Sequence, residues 1–160
     1  MKPGDHPDFY RFAPPPGTSR ESTIVLDASG ELWHDGDRVE HGPLASALHR
    51  WISVHPDDGR FILTNGYDWC YLDVEDVPYF VLGVTDGDPP ALELSDGTSE
   101  PLDPDAVAVD ERGALYTRIK GGRFWARFGR HAESDLGAFI AADEPPRIVI
   151  SGRAHPIGRR

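Results

Sequence analysis

Two similar eight-residue stretches occur in this sequence. LDASGELW at residues 26–33 aligns with VDERGALY at residues 109–116. Asp, Gly and Leu stand at matching positions, and the last residue of each stretch is aromatic. The order then continues alike, because GRFILTNG at 59–66 corresponds to PRIVISGR at 146–153. Recurrence at a nearly constant offset is typical of a repeated supersecondary unit. The sequence therefore predicts an internally duplicated α+β fold, in which each copy is a turn, a hairpin, a helix and a strand.

A helix is predicted in each copy, because apolar residues recur there at i, i+4, i+7 and i+8, the spacing of one helix face. The positions are Leu44, Leu48, Trp51 and Ile52 in the first copy and Ala132, Leu136, Phe139 and Ile140 in the second. These side chains are expected to be buried, whereas His49 and Arg50 are expected to face water. The pair Asp35-Gly36, between ELWH and DRVE, predicts a tight hairpin turn.

Composition divides the chain into four segments. The N-terminal end contains APPPG and no sustained period, so it is expected to lie as an arm on the surface or along a neighbouring molecule, held by Phe9, Tyr10 and Phe12. The segments are a Pro-rich arm (1–20), a first α+β repeat unit (21–88), an Asp/Pro-rich joint (89–108) and a second α+β repeat unit (109–160).

Length and composition exclude several classes of protein. A chain of 160 residues, 39% hydrophobic, can bury about 70% of its unfolded surface. It contains no run of 18 apolar residues, and its start lacks the pattern of a secretory signal, so we expect a cytoplasmic protein with no membrane span. The single Cys70 excludes an intramolecular disulfide and a thiolate zinc cluster.

The charge is distributed unevenly along the chain. The net charge of -11 argues against nucleic acid as a partner, because Lys and Arg supply most non-specific affinity for phosphate backbones. Residues 1–105 carry 21 acids and 6 bases, whereas residues 106–160 carry 6 acids and 10 bases. The second half therefore contains a positive region within an acidic protein.

That positive region centres on RIKGGRFWARFGR at residues 118–130, which holds five basic side chains and no acid. Gly121-Gly122 predicts a two-residue hairpin turn, so that Lys120 faces Arg123 and the strands pair outward from there. Alternation then places Leu115, Thr117, Ile119, Phe124, Ala126 and Phe128 on a core face. The opposite face is basic and aromatic, and it carries Tyr116, Arg118, Lys120, Arg123, Trp125 and Arg127.

Several interpretations of this basic face remain open. Its arginines can simply stack on the aromatic rings in water, or pair with acids elsewhere in the chain. The like-charge pair of Lys120 and Arg123 argues against simple stacking in water, because such a pair destabilises a sheet unless solvent or an anion relieves it. Cations beside aromatic rings also suit a phosphate-bearing small molecule, or an acidic protein partner.

Catalytic and metal-binding motifs are sparse. The seven histidines show no HExxH or other paired spacing, so no metal and no cofactor is predicted. There is no GxSxG elbow and no phosphate-binding loop ending in GK[ST]. An acid pair drawn from Asp68, Glu75 and Asp76 is the one hydrolytic arrangement that the sequence leaves open.

The sequence resembles a bacterial family known as domain of unknown function 1285. The resemblance covers residues 21–158 and is carried by GELWHDGDRVEHGPL, by GRFILTNGYDWCYLDVEDVPYFV and by LYTRIKGGRFWARF. A second uncharacterised family, from animal mitochondria, is similar across the same stretches, notably EPLDPDAVAVDERGALY. The Pro-rich arm and the Asp/Pro-rich joint depart from the bacterial pattern.

The resemblance implies a duplicated α+β fold whose second half is like a pleckstrin-homology barrel, with a nucleotide-like ligand between the halves and a role in signalling. Together with the basic face, it leads us to expect a sensing or regulatory module for an anionic small molecule, without catalytic residues. The alternatives are an interaction module for an acidic protein partner and, as the weakest, a hydrolase. The oligomeric state stays open.

Overall fold

A computed structural model describes residues 1–141, 143 and 145–160 of the chain. It divides into two compact units, Met1–Pro78 and Tyr79–Arg160. The Asp- and Pro-rich residues 89–108 lie within the second unit, where they form strands. The class is α+β, as predicted, with one helix of eight residues or more in each unit.

The first unit contains two small sheets and a helix. Its elements are β1 (Val25–Leu26), β2 (Leu32–His34), β3 (Asp37–Arg38), α1 (Gly42–Trp51), β4 (Ile52–Val54), β5 (Phe61–Thr64), β6 (Trp69–Tyr71) and β7 (Asp73–Val74). One sheet has the order β3-β2-β1-β7, and the other has the order β4-β5-β6. The Asp35-Gly36 turn between β2 and β3 is confirmed, with φ of +52° and +82° at its two residues.

The second unit is built around a larger sheet. Its elements are β8 (Tyr79–Thr85), β9 (Ala91–Leu94), β10 (Ser99–Pro101), β11 (Val107–Val109), β12 (Leu115–Ile119), β13 (Phe124–Phe128), α2 (Arg130–Gly137), β14 (Ile140–Ala141), β15 (Arg147–Ile150), β16 (Arg153–Pro156) and β17 (Gly158–Arg159). The order is β10-β9-β8-β13-β12-β11-β17 in the seven-stranded sheet and β14-β15-β16 in the other. Within the described residues no pairing joins β10 to β17, so the expected barrel is not closed.

The same order of elements occurs in both units. In each, three antiparallel strands precede a helix, three more follow it, and a last short strand returns to pair in parallel with the first. That return pairs β7 with β1 through Leu26 and Val74, and β17 with β11 through Val109 and Arg159. The strands β8 to β10 are additional to this order. A common origin of the two units stays a prediction.

The repeated sequence motif forms the same turn twice. Oδ1 of Asp27 accepts hydrogen bonds from the N–H groups of Ser29 and Glu31, and Oδ1 of Asp110 accepts from the two equivalent N–H groups. Gly30 and Gly113 have φ of +93° and +87°, a region that a side chain disfavours. The Asp and Gly of the motif are therefore explained by this turn.

The helices are shorter than their apolar patterns predict. Leu48 and Leu136 are buried, as expected, but Leu44 is 45% exposed and Trp51 is only half-buried. Each helix ends before the last predicted position, because the chain there turns into the extended strands β4 and β14. Ile52 is thus buried as a strand residue, whereas Phe139 is half-buried just after α2.

His49 does not face water, as the helical pattern had suggested. It is half-buried, and this burial lowers the pKa of its imidazole below the usual value.

The N-terminal arm packs on the first unit. Phe9 is 5% exposed and contacts Ile62 and Trp69, and Tyr10 packs against the same cluster. Phe12, by contrast, is 52% exposed. Two of the three aromatic residues therefore hold the arm, which positions its charged groups beside β5 and β6.

Candidate anion-binding face

The β12–β13 hairpin carries most of the predicted site, and its register is the predicted one. The Cα partners are Tyr116 with Arg127, Thr117 with Ala126, Arg118 with Trp125 and Ile119 with Phe124. Because side chains alternate along a strand, Thr117, Ile119 and Ala126 share one face, and each is at most 1% exposed. This face belongs to the core of the second unit.

The turn of this hairpin is wider than predicted. Strand β12 ends at Ile119 and β13 begins at Phe124, so the turn comprises residues 120–123 rather than the two glycines alone. Lys120 itself has a left-handed φ of +52°, followed by +72° and +81° at the glycines. Lys120 and Arg123 therefore belong to the turn and do not form the predicted cross-strand pair.

Two acids hold Lys120 at this turn. Its Nζ donates to Oδ2 of Asp96 at 2.8 Å, and its backbone N–H donates to Oε1 of Glu100 at 3.1 Å. Burial alone would raise the pKa of Asp96, but the hydrogen bond from Lys120 helps to hold it below its usual value. Lys120 is therefore paired within the second unit, and its charge is largely compensated.

Arg123 is placed near the same end of the hairpin. Its guanidinium carbon lies 5.2 Å from the ring centroid of Phe124, and Nζ of Lys120 lies 5.1 Å from that of Tyr79. Burial raises the pKa of Tyr79, and the charge of Arg123 opposes this rise. Since Phe124 belongs to the core face, the structure separates Lys120 and Arg123 from the other four predicted site residues.

Those four residues lie together and are joined by a fifth. We call this group the arginine–aromatic face; it consists of Tyr116, Arg118, Trp125, Arg127 and Arg160. The guanidinium carbon of Arg118 is 4.2 Å from the ring centroid of Trp125, and that of Arg160 is 4.2 Å from the centroid of Tyr116. The guanidinium carbon of Arg127 lies 5.9 Å from the ring centroid of Tyr116. The rings of Tyr116 and Trp125 meet edge to face. Each arginine thus stacks on an aromatic ring, as one of the sequence interpretations held.

Exposure differs across the arginine–aromatic face. Tyr116 is only 2% exposed, Trp125 and Arg127 are half-buried, and Arg118 and Arg160 are exposed. Nη1 of Arg118 donates to the carbonyl of Gly122 at 3.3 Å, which restrains the guanidinium over Trp125. The accessible part of this face is therefore an arginine on a tryptophan, with a second arginine beside them.

Arg160 was missed from the sequence, because it reaches the face only through a long-range pairing. Strand β17 lies parallel to β11, and the N–H of Arg160 donates to the carbonyl of Val109 at 3.0 Å. The first unit has the matching bond from the N–H of Glu75 to the carbonyl of Leu26 at 2.9 Å. The repeat could therefore have indicated Arg160, because this residue occupies in the second copy the position that Glu75 occupies in the first.

The equivalent place in the first unit is an acidic cleft. Its volume is about 530 Å³, and Trp33, Asp27 and Glu75 are among the residues that line it. Nε1 of Trp33 donates to Oδ2 of Asp27 at 2.8 Å, and Oε2 of Glu75 accepts from the N–H of Ala28 at 3.1 Å. Both carboxylates thus support the local backbone and side chains.

The described part of the chain contains neither a cluster of side chains that could hold a metal ion nor a helix that could span a membrane. No group of three or more His, Cys, Asp or Glu side chains in residues 1–141, 143 and 145–160 is arranged to hold a metal ion. Within those same residues, no helix combines the length and the apolar character that crossing a bilayer requires. Of the acids considered for hydrolysis, Asp68 forms an ion pair with Arg20, and Glu75 accepts a hydrogen bond from the N–H of Ala28.

The fold and this face together describe an α+β protein of two units with an arginine-rich hairpin in the second. Comparison with solved structures places it beside two DUF1285 family proteins. The one from Silicibacter pomeroyi DSS-3 has 16% identity and a TM-score of 0.62, over 99% of this chain and 90% of that protein. The one from Shewanella baltica OS155 has 18% identity and a TM-score of 0.56, over 75% of this chain and 94% of that protein.

These comparisons confirm, at the level of the fold, the resemblance inferred from the sequence. No family model and no curated protein matches the sequence. The function of the chain must therefore be argued from its own residues.

Proposed function

We propose that this protein binds an anionic small molecule, in which a phosphate lies next to a flat ring, on the arginine–aromatic face, and that it acts as a sensing or regulatory module. The observation that carries the proposal is the stack of Arg118 on Trp125 with Arg160 5.5 Å from the same ring. A guanidinium held over a ring can keep N–H groups available for phosphate oxygens, which it contacts in a forked geometry.

The stacking also lowers the cost of binding. A free arginine side chain loses rotamer freedom when it closes on a ligand, and this loss costs about 0.5–1.5 kcal/mol per side chain. Arg118 already has its guanidinium restrained by Trp125 and by the carbonyl of Gly122. Part of that cost is therefore met during folding, which favours specific binding over loose attraction of counter-ions.

The choice of a small molecule over an acidic protein partner rests on the size of the accessible surface. The exposed arginines flank a single half-buried tryptophan, whereas a stable protein interface needs about 800 Å² on each partner. A binding module also agrees with the structural roles found for Asp68 and Glu75, each of which is engaged in a hydrogen bond or ion pair.

The test is a thermal-shift panel of nucleotides, dinucleotides and phosphorylated sugars on wild-type protein and on Arg118→Glu. A compound at about 100 times its Kd should stabilise the fold by about 2.7 kcal/mol and raise the Tm by several degrees. Arg118→Glu should abolish this shift while keeping the wild-type Tm in the absence of ligand, because the side chain is exposed.

The matched control is Arg153→Glu, which makes the same charge change at an exposed position of β16. It should keep the ligand-induced shift. If Arg153→Glu loses the shift as well, the effect comes from overall charge, and the proposed site is wrong. If no compound shifts the wild type while Arg118→Glu releases a protein partner in a pull-down, the interaction module replaces the ligand-binding module.

A further inference from the structure

The Pro-rich arm is held on the first unit by a defined set of residues. We name this set the arm-binding surface; it consists of His55, Asp57, Ile62, Gly66 and Trp69. Phe9 is the apolar anchor of the arm, because it is 5% exposed and packs on Ile62 and Trp69. The ring of Tyr10 meets those of His55 and Trp69 edge to face. The surface therefore receives two successive aromatic residues of the arm.

Polar groups fix the direction of the arm on this surface. Nδ1 of His55 accepts from the N–H of Asp57 at 3.1 Å, so Nε2 carries the proton and donates to the carbonyl of Tyr10, also at 3.1 Å. Arg11 and Asp57 form a forked ion pair, with Nε 3.0 Å from Oδ2 and Nη2 2.8 Å from Oδ1. The N–H of Gly4 donates to the carbonyl of Gly66 at 2.7 Å. Backbone, rings and charge of the arm are thus all recognised.

The arm connection, which we define as residues 12–19, is attached much more weakly. Its residues are exposed apart from Pro14, which is half-buried. Its hydrogen bonds are local, since the N–H and Oγ1 of Thr18 both donate to the carbonyl of Pro15, and the carbonyl of Phe12 accepts from Arg20 at 3.4 Å. The contacts that hold the arm therefore come from residues 4–11 and not from the connection.

One turn folds the arm back onto its own unit. At residues 15–18 the N–H of Thr18 donates to the carbonyl of Pro15, with Pro16 and Gly17 between them and a φ of +78° at Gly17. This is the arrangement of a type II β-turn, whose third position needs a glycine. With the turn open, the prolines favour an extended chain, and the eight residues of the connection span about 26–29 Å.

We infer that the arm-binding surface also receives the arm of a second copy of this chain, so that two copies exchange arms and form a dimer. The arm makes the same contacts whether the surface belongs to its own chain or to the second copy, which makes exchange a low-cost route to a dimer. The exchanged form does not need the turn at residues 15–18. It also gives Phe12, which is 52% exposed in the folded-back arm, the surface of a second copy to cover.

The occupant is an arm and not an unrelated peptide, because the surface matches the arm at three successive residues. Phe9 fits the apolar contact with Ile62, the carbonyl of Tyr10 fits the donor of His55, and Arg11 fits the carboxylate of Asp57. None of these residues belongs to the arginine–aromatic face, so the dimer and the proposed anion site are tested separately.

Two charge-reversal variants test the exchange directly. Arg11→Glu and Asp57→Arg each place like charges between an arm and the surface of its own chain. When the two variants are refolded together from urea, each arm finds the opposite charge only on the other chain. Native mass spectrometry should then show a 1:1 heterodimer, identified by the two chain masses, whereas each variant alone should be mainly monomeric. A mixture that yields no heterodimer would overturn the inference.

The matched control reverses the charge of the neighbouring acid. Asp58 accepts from the hydroxyl of Tyr71 at 2.7 Å and from the N–H of Arg60 at 2.9 Å, and it lies one residue beyond the acid that binds the arm. Asp58→Arg mixed with Arg11→Glu should therefore give no heterodimer. A heterodimer in this mixture would show that overall charge drives the association, and it would contradict the exchange of arms.

Gly17→Val tests the turn without a change of charge. A β-branched residue disfavours a φ of +78°, so the folded-back arm should become about tenfold less favourable in each chain, and the dimer association constant should rise about a hundredfold. Ala13→Val, at an exposed position of the connection outside the turn, should leave that constant unchanged. Sedimentation equilibrium measures both variants against the wild type. An unchanged constant in Gly17→Val would overturn the inference.

The double variant Gly17→Val with Arg11→Glu should lose the dimer, because the arm contact carries it. A dimer that persists would place the interface elsewhere and contradict the inference. Since neither substitution alters the arm-binding surface, this comparison decides the question even where Asp57→Arg does not fold. Arg118→Glu should dimerise as the wild type does, which separates the exchange of arms from the proposed anion site.

Discussion

The two units place opposite charges at equivalent positions of the same element order. In the first unit Glu75 follows the returning strand and lies near Trp33, and in the second unit Arg160 occupies that position and stacks on Tyr116. The same backbone hydrogen bond positions both residues. The N–H of Glu75 donates to the carbonyl of Leu26, and the N–H of Arg160 donates to the carbonyl of Val109. The comparison teaches that turn and strand geometry is retained in both units while the side chains decide which charge each unit presents.

The hairpins differ in length as well as in charge. β2 and β3 share two residue pairs and a two-residue turn, whereas β12 and β13 share four pairs and the wider turn at 120–123. The matched motifs are 83 residues apart before the hairpin and 87 residues apart after it, which indicates a longer hairpin in the second unit. The longer hairpin brings Arg118 and Trp125 into a position that has no counterpart in the first unit.

The largest expected effect tests whether the helices play equivalent roles in the two cores. Leu136→Ala should lower the free energy of unfolding by about 2–5 kcal/mol, because the side chain is fully buried. Leu48→Ala, at the matching position and 8% exposed, should fall at the lower end of this range.

Urea unfolding followed by circular dichroism measures both variants. Leu44→Ala is the control, since its side chain is 45% exposed and its removal should cost less than about 1 kcal/mol. A similarly small cost for Leu136→Ala would show that α2 does not contribute to the core as α1 does.

An intermediate effect tests the shared turn. Gly30→Ala and Gly113→Ala should each destabilise by about 1–2 kcal/mol, because φ near +90° is unfavourable for a residue with a Cβ. Gly137→Ala, at the end of α2, is the matched control and should be neutral or stabilising by up to about 1 kcal/mol. Unequal costs at the two turn glycines, measured by urea unfolding, would break the equivalence of the turns.

The smallest effect concerns the turn aspartates and depends on pH. Burial alone would raise the pKa of Asp27, but hydrogen bonds from Trp33 and Ser29 lower it below its usual value. The pKa of Asp110 is lowered mainly by the N–H of Ala114. A carboxyl whose folded pKa is depressed adds stability above its unfolded pKa of about 3.9, and that stability is lost as the pH falls through the folded value.

Asp27→Asn and Asp110→Asn should therefore destabilise the protein at neutral pH and approach wild-type stability at about pH 3 and below. Asp27→Asn should have the larger effect, since only Asp27 also accepts a hydrogen bond from an indole, that of Trp33. Tm values across this pH range measure both variants. A destabilisation that stays constant with pH would mean that the charge of the aspartate is not involved.

Elements set by local rules could be predicted from the sequence. The pairing of β12 with β13 follows from counting outward from Gly121-Gly122, and the Asp35-Gly36 turn follows from the left-handed preference of its residues. The arm residues Phe9 and Tyr10 were predicted because aromatic side chains in a polar segment need a surface to cover. In each of these cases the partner is near in the chain or the requirement is purely local.

Burial and pairing at a distance could not be predicted in the same way. His49 and Trp51 lie where a helical pattern alone assigns them to water and to the core, but contacts from outside the helix decide how far each is covered. For His49 these contacts come from Gly30 and Glu31, in the turn before β2. The pocket between the end of α1 and the β5–β6 hairpin is a further case, because it depends on where the helix ends beside that hairpin.

The sequence by itself determined the α+β class, the repeated turn with its Asp and Gly, and the face on which each residue of the β12–β13 strands lies. Only the tertiary structure decided that Lys120 leaves this face for Asp96 and that Arg160 joins it through β17. The physical reason is the distance along the chain over which each interaction acts. Backbone sterics and side-chain alternation act within a few residues, whereas an ion pair or a parallel strand pairing forms between segments whose approach depends on the packing of the unit.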